Sequence, residues 1–128
     1  MRPLTVALFA ESERGSYKTA YLVRSLSQLA DCAGNPPLHS KGMVFAVQAL
    51  LYHCNLLFFR VAEEGFSLDD YYYGMELLKD QREISDIAAL CIPGVGDHSI
   101  IEATAPICER YHSILIITAQ DFQDLCLS

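Results

Sequence analysis

Four apolar runs of strand length punctuate the chain: Leu4–Ala10 (LTVALFA), Asn55–Val61 (NLLFFRV), Ile87–Ile92 (IAALCI) and Ser113–Ala119 (SILIITA). Each is short for a helix and nearly continuous in apolar residues, the pattern of a strand covered on both faces of a parallel sheet. The segments between them carry helical spacing. Tyr17, Tyr21, Leu22, Leu26, Leu29 and Ala30 recur at helical spacing among Lys18, Arg24, Ser25 and Gln28, which predicts an amphipathic helix. Met43–His53, after Gly42, reads as a largely buried helix. Ser67, with Asp70 three residues on, opens a third helix to about Lys79, with Leu68, Tyr71 or Tyr72, Met75 and Leu78 on one face. A fourth runs from Ser99 to about Arg110, and Pro106 is expected to kink or shorten it. Asp121–Ser128 leaves room for little more than two further turns. Asp31–Gly42 is the least regular part, broken by Asn35-Pro36-Pro37.

Alternation of strands and helices implies right-handed βαβ units and a parallel sheet. The expected fold is one α/β domain over residues 1–128, a three-layer Rossmann-like or flavodoxin-like parallel sheet of four to five strands flanked by helices. With the first strand central, the four runs take the order 2-1-3-4. Winding then reverses between the first and third, and ligands in such sheets bind outside the carboxyl strand ends at that reversal. Two loops follow the strands that flank it, Glu11–Ser16 and Pro93–Ser99.

The second loop belongs to the most informative stretch, Asp86–Glu102 (DIAALCIPGVGDHSIIE). Pro93, Gly94 and Gly96 break the strand, and Ser99 with Glu102 forms a capping-box pattern that opens a helix. Glycines admit a ligand close to the backbone, and first-turn amides suit a phosphate or carboxylate. Asp97 works against an anion there. The competing reading is a tight turn with Ser99 as a simple cap. The candidate binding set is Ser12, Gly15, Pro93, Gly94, Gly96, Asp97, His98 and Ser99. Glu11 and Glu102 are the candidate catalytic carboxylates, of the kind that act as base or nucleophile in glycosidic cleavage. Solvated or capping roles explain the same two residues. Arg60, near the end of the second strand, carries a charge either into the pocket mouth or to solvent along an edge.

Composition narrows the picture. Apolar residues are 52% of 128, enough for a core, and the net charge of −7 disfavours nucleic-acid or anionic-membrane surfaces. No apolar run approaches the roughly 20 residues of a membrane span. Leu4–Ala10 gives way at once to Glu11, Glu13 and Arg14, unlike a secretory signal, so a cytoplasmic location is expected. Five cysteines without a CxxC pair suggest free, buried thiols. His39, His53, His98 and His112 show no metal-ligand spacing, and no metal or cofactor is expected. Neither a Walker A, a GxGxxG nor a GxSxG motif is present. Three consecutive tyrosines, Tyr71–Tyr73, cannot all face one core. At least one is expected exposed or against a partner, and a homodimer is the partner expected.

Three stretches resemble the Rossmann-like nucleotide-binding superfamily that includes the LOG (lysine decarboxylase-like) phosphoribohydrolases. Leu4–Gly15 (LTVALFAESERG) is similar to that family's first strand and Ser/Gly loop. Lys41–Leu50 (KGMVFAVQAL) is similar to its glycine-methionine helix start, and PGVGDHSIIE to its PGGxGTxxE turn. The resemblance implies a phosphorylated or nucleotide-like ligand and N-glycosidic hydrolysis, with Glu102 matching one of the catalytic pair. The chain departs from the pattern at Asp97 and His98, where the threonine is missing. It departs again at Tyr73–Leu78, which holds no arginine; Arg82 comes several residues later. The alternative expectation is a non-catalytic dimeric interaction protein that keeps the fold and has lost the site.

Overall fold

The computed structural model describes residues 4–35, 37, 40–80 and 86–127. The expectations placed on Pro36, His39, Arg82, the thiol of Cys126 and the helix end at Ser128 lie outside the described residues. The elements are β1 (Thr5–Ala10), β2 (Ala20–Val23), α1 (Leu26–Ala33), α2 (Lys41–Leu51), β3 (Asn55–Arg60), α3 (Leu68–Asp80), β4 (Ala89–Cys91), α4 (His98–Tyr111), β5 (Ile114–Ile116) and α5 (Ala119–Leu127). One five-stranded sheet takes the order β2-β3-β1-β4-β5. β3, β1, β4 and β5 are mutually parallel, and only β2 runs antiparallel, along β3. The predicted order of the four apolar runs is therefore the observed one, in a Rossmann-like three-layer α/β arrangement.

β1 shows why its sequence is apolar throughout. Val6, Leu8 and Ala10 face one layer, where they meet Leu29 and Ala33 of α1 and Met43, Ala46 and Ala49 of α2. Ala7 and Phe9 face the other, with Tyr71, Met75 and Leu78 of α3 and Ile100 and Ile107 of α4. Side chains alternate across a strand, so a strand covered on both faces needs apolar residues at every position. Phe9 stacks on Phe59 at 4.6 Å between ring centroids and on Tyr71 at 5.3 Å. Of the three tyrosines, Tyr71 is buried, Tyr72 half-buried and Tyr73 exposed, with the Lys18 ammonium 5.7 Å from its ring.

One expectation needs correction. The single helix expected across Tyr17–Ala30 is instead β2 followed by α1. Without β2, β3 would present an edge of unpaired N–H and C=O groups. Pairing that edge outweighs the weak helical preference of Ala20–Val23. The break comes at Ser25, whose side chain accepts a hydrogen bond from Gln28 N as the N-cap of α1. α4 carries Pro106 in its interior and runs to Tyr111, close to the expected end at about Arg110. Pro106 and Glu102, whose carbonyl loses its helical donor, are both exposed, so water can satisfy that carbonyl.

Cys54 and Cys91 are buried, Cys32 and Cys108 are half-buried, and none of these four forms a disulfide. Burial raises the Cys32, Cys54 and Cys108 thiols above their usual value. Among the described residues, no helix is long and apolar enough to cross a membrane.

Candidate functional site

The parallel strands bring the segments after β1, β3, β4 and β5 to one end of the sheet. The dominant polar feature there is Glu64, in the loop after β3, to which the sequence reading gave no role. Its Oε1 accepts from Ser40 Oγ (2.6 Å), Glu11 N (3.0 Å) and Gly42 N (3.1 Å), and its Oε2 accepts from Lys41 N (3.0 Å). Lys41 and Gly42 open α2, so their amides lack intrahelical acceptors and face the positive end of the helix dipole. Ser40 Oγ also accepts from Met43 N as the N-cap. Glu64 thus fills this helix N-terminus with an internal carboxylate. The signal in the sequence is half visible: Ser40 before an apolar run is a cap, but nothing local points to a partner 24 residues away.

The loop after β1 is fastened to α1 and to β3. Ser12 is buried and donates through Oγ to Arg14 O (2.8 Å), and Arg14 N donates to Ala33 O at the end of α1 (3.1 Å). Gly15 has φ of +113° and lies against Cys32 O, which a Cβ would approach to 3.0 Å. Arg60 Nη1 donates to Gly15 O (2.6 Å) and its guanidinium lies 4.4 Å from the Tyr17 ring, so its charge is spent on this loop. Glu11 Oε2 accepts from Glu64 N (3.0 Å).

The turn after β4 is different. Pro93 and Val95 are buried, and Gly94, Gly96, Asp97, His98 and Ser99 are exposed. Gly94 has φ of +79°, the left-handed region that favours glycine. Gly65 abuts it so closely that a Cβ on Gly65 would come within 2.6 Å of Gly94 O. The segment holding Glu64 and Gly65 is thereby linked to both the β1 and β4 loops. The N-cap of α4 is Asp97, not Ser99: its Oδ1 accepts from Ser99 N (2.8 Å) and Ile100 N (3.3 Å). The Ser99 amide bond chiefly holds the Asp97 carboxyl below the usual range. Glu102 is therefore not the second half of a capping box and lies exposed on α4.

A cleft of ≈ 570 Å³ opens on the α2 side of this turn, between Lys41, Val44 and Phe45, Gly94–Gly96, and Ile117–Ala119 after β5. A second groove of ≈ 420 Å³ lies on its other side, lined by Gly65, Phe66, Leu68, Gly94, Gly96 and Asp97. Of the candidate residues, Gly94 and Gly96 line both spaces and Asp97 the second. Ser12, Gly15, Pro93, His98, Ser99, Glu11 and Glu102 line neither. Phe45 and Ile117 were missed because an apolar cleft wall and an apolar core position look alike in sequence, and Lys41 because an exposed lysine at a helix start looks like any solvated one. Among the described residues, no group of three or more His, Cys, Asp or Glu side chains gathers as a metal site. Comparison with protein-family models, with curated proteins and with solved structures finds no match to this chain.

Proposed function

We propose that the chain binds a small phosphorylated or nucleotide-like ligand in the cleft between the first turn of α2 and the Gly94–Gly96 turn. The observation that carries this reading is the chemistry of the lining. Val44, Phe45, Val95, Ile117 and Ala119 give apolar walls, and Lys41 contributes a cation whose ammonium has no partner among the described residues. Pockets with apolar walls and a few polar groups suit flat organic ligands, and those groups set the orientation. The position, outside the carboxyl ends of parallel strands, is where such sheets hold ligands. The resemblance to the LOG superfamily at Lys41–Leu50 and Asp86–Glu102 points to the same two walls.

Hydrolysis is not part of the proposal. N-glycosidic cleavage needs a carboxylate facing the ligand. Glu11 accepts Glu64 N, Glu102 is exposed on α4, and neither lines the cleft.

Titration calorimetry with adenosine 5′-monophosphate tests the reading. Binding is expected in the micromolar to millimolar range, and Gly96→Val is expected to abolish it. A Cβ at Gly96 meets nothing within 4 Å, so the substitution enters the cleft rather than the core. Binding that survives Gly96→Val would move the site elsewhere, and no heat with millimolar nucleotide would end the reading.

A second reading, a dimer that keeps the sheet without a ligand site, draws on one observation. The outward side of α2 exposes Val44 (54%) and Leu51 (60%), with Tyr52 (53%) just beyond it. Light scattering after size exclusion decides it, and a monomer at high concentration removes it.

A further inference from the structure

β2 is an edge strand: it pairs with β3 on one side and has no strand on the other. The bonding pattern shows which of its groups are left over. Asn55 N donates to Leu4 O and Val61 N to Ala10 O, so the odd-numbered residues of β3 point their N–H groups at β1. Leu56 and Phe58 therefore point theirs at β2, where they face Val23 and Tyr21. Antiparallel strands alternate, so Ala20 and Leu22 turn their N–H and C=O groups to the open edge, and no described residue bonds them there. Side chains alternate as well. Tyr21 and Val23 pack toward α1 and α2, and Ala20 toward α3. Leu22 shares the α3 side with Ala20 and is 51% exposed. Tyr73 of α3, also exposed, has its ring 5.7 Å from the ammonium of Lys18, two residues before β2.

Charge on this edge has the opposite sign to the chain as a whole. Arg14–Ala30 holds Arg14, Lys18 and Arg24 and neither Asp nor Glu, in a chain of net charge −7. Those cations form no ion pair among the described residues. Arg14 donates to Ala30 O and Lys18 lies over Tyr73, contacts that leave both charges uncompensated. Arg60 adds another cation, held by the carbonyls of Gly15 and Glu13. The flanking carboxylates lie toward the far end of α1: Glu13 Oε1 accepts from Asn35 N, and Asp31 is exposed near that end. Asp69, one turn before Tyr73 on α3, is exposed and makes no ion pair with Lys18.

We propose that this edge takes an extended acidic peptide, which adds to the sheet as a sixth strand beside β2. Ala20 and Leu22 supply its main-chain donors and acceptors. Apolar side chains at alternate positions of the peptide lie on Leu22, and carboxylates at its two ends meet Lys18 and Arg24, which bracket β2. A second copy fits less well. Antiparallel pairing of β2 with itself about its centre sets Arg24 opposite Thr19 and Lys18 opposite Ser25, so the cations of both copies crowd one ladder. A cationic edge guards against self-pairing, and the same charges attract carboxylates. β2 and β5 are opposite edges of the sheet, so this surface stands apart from the cleft and does not depend on it.

Fluorescence anisotropy with labelled peptides on the full chain tests the proposal. The probe is a capped peptide of sequence EEVTVTVEE; its counterparts are KKVTVTVKK and the acidic peptide N-methylated at every residue between the glutamates. The acidic peptide is expected to bind at least about tenfold more tightly than the lysine peptide, and to weaken as salt rises to about 0.5 M. N-methylation keeps the charge but removes the peptide's donors, and should weaken binding about tenfold. Lys18→Glu with Arg24→Glu, both on the surface, is expected to weaken the acidic peptide by about tenfold or more. Leu22→Pro removes an outward N–H and no ladder bond to β3, a substitution that edge strands accept, and should weaken the peptide about fivefold with every charge in place. Circular dichroism checks its fold; if it unfolds, the N-methylated peptide decides the same point on the wild-type chain. No binding of the acidic peptide at about 1 mM overturns the proposal. Equal binding of the N-methylated peptide also overturns it, by reducing the contact to charge alone. So does a dimer in light scattering that Leu22→Pro dissolves, which would give the edge to a second copy.

Discussion

Glu11 and Glu64 each accept the other's backbone N–H through a carboxylate oxygen, at 3.0 Å in both directions, across 53 residues of chain. The exchange fastens the end of β1 to the loop after β3. Glu64 extends it to the first turn of α2 through Ser40, Lys41 and Gly42. Through Gly65, which abuts Gly94, the same loop supports the glycine turn. A single carboxylate therefore holds three loops at the carboxyl end of the sheet in register.

Glu64→Ala is expected to lower unfolding free energy by about 2–3 kcal/mol, because several donors lose a charged acceptor together. Glu64→Gln keeps one acceptor oxygen but turns an NH₂ group toward donors, and should fall between the alanine variant and wild type. Urea denaturation reads both. A loss below about 0.5 kcal/mol for the alanine variant would mean that water satisfies these amides equally well.

The alkaline limit of stability is expected to follow Tyr71. Its ring is fully buried, its hydroxyl oxygen accepts from Gly65 N at 2.8 Å, and burial above all pushes its pKa up to about 12 from the model-compound value of 10.0. The folded state thus holds the phenol proton more tightly than the unfolded chain does. The associated stability is fully present below about pH 10 and is lost as the pH rises toward 12. Two pH units correspond to ~2–3 kcal/mol. Tyr71→Phe should flatten this slope and cost about 1–2 kcal/mol at neutral pH by leaving the buried Gly65 N–H without its acceptor. An unchanged alkaline slope in the phenylalanine variant would assign the effect to other groups.

What was legible in the sequence was whatever a strand must show when covered on both faces. β1, β3, β4 and β5 advertise themselves as apolar runs, and their alternation with helices dictates parallel neighbours and the winding reversal at β1. The glycine turn was legible for a similar local reason: Pro93, Gly94 and Gly96 cannot continue a strand. Tertiary partners were not legible. β2 exists because β3 offers an edge, and its residues Tyr21 and Leu22 keep helical spacing with Leu26 and Leu29 regardless. The pair Ser25 and Gln28, a capping-box pattern, was the local sign that a helix begins only there. The cap on α4 moved from Ser99 to Asp97 because both residue types cap well and the chain path decides between them. Glu64 carries no local signal, since its role depends on donors brought from β1 and α2.

Two glycines divide packing from access. A Cβ at Gly42 would lie 2.2 Å from Ala10 Cβ, so α2 sits on β1 as closely as it does only because Gly42 has no side chain. Gly42→Ala is expected to cost about 1–3 kcal/mol by pushing α2 away from the sheet. Gly96→Ala meets open space and should change stability by less than about 0.5 kcal/mol. Thermal unfolding of the two variants side by side checks the contrast. Equal losses would mean that the turn, not the helix contact, is the constrained element.

The pair Leu22 and Val23 distinguishes β2 from the helix that periodicity suggests. A helix carrying Tyr21, Leu22, Leu26 and Leu29 on its inner face would bury Leu22 and turn Val23 outward. In the sheet the assignment is reversed: Val23 pairs with Leu56 and is 1% exposed, whereas Leu22 is 51% exposed. Val23→Ala should therefore cost about 2 kcal/mol, the two lost methyl groups plus the cavity they leave. Leu22→Ala removes a larger side chain yet should cost less than about 0.5 kcal/mol, because that side chain stands largely in water. Chemical denaturation of both variants gives the comparison directly. The opposite ranking would restore the continuous helix, remove the partner strand from β3, and leave that edge of the sheet open.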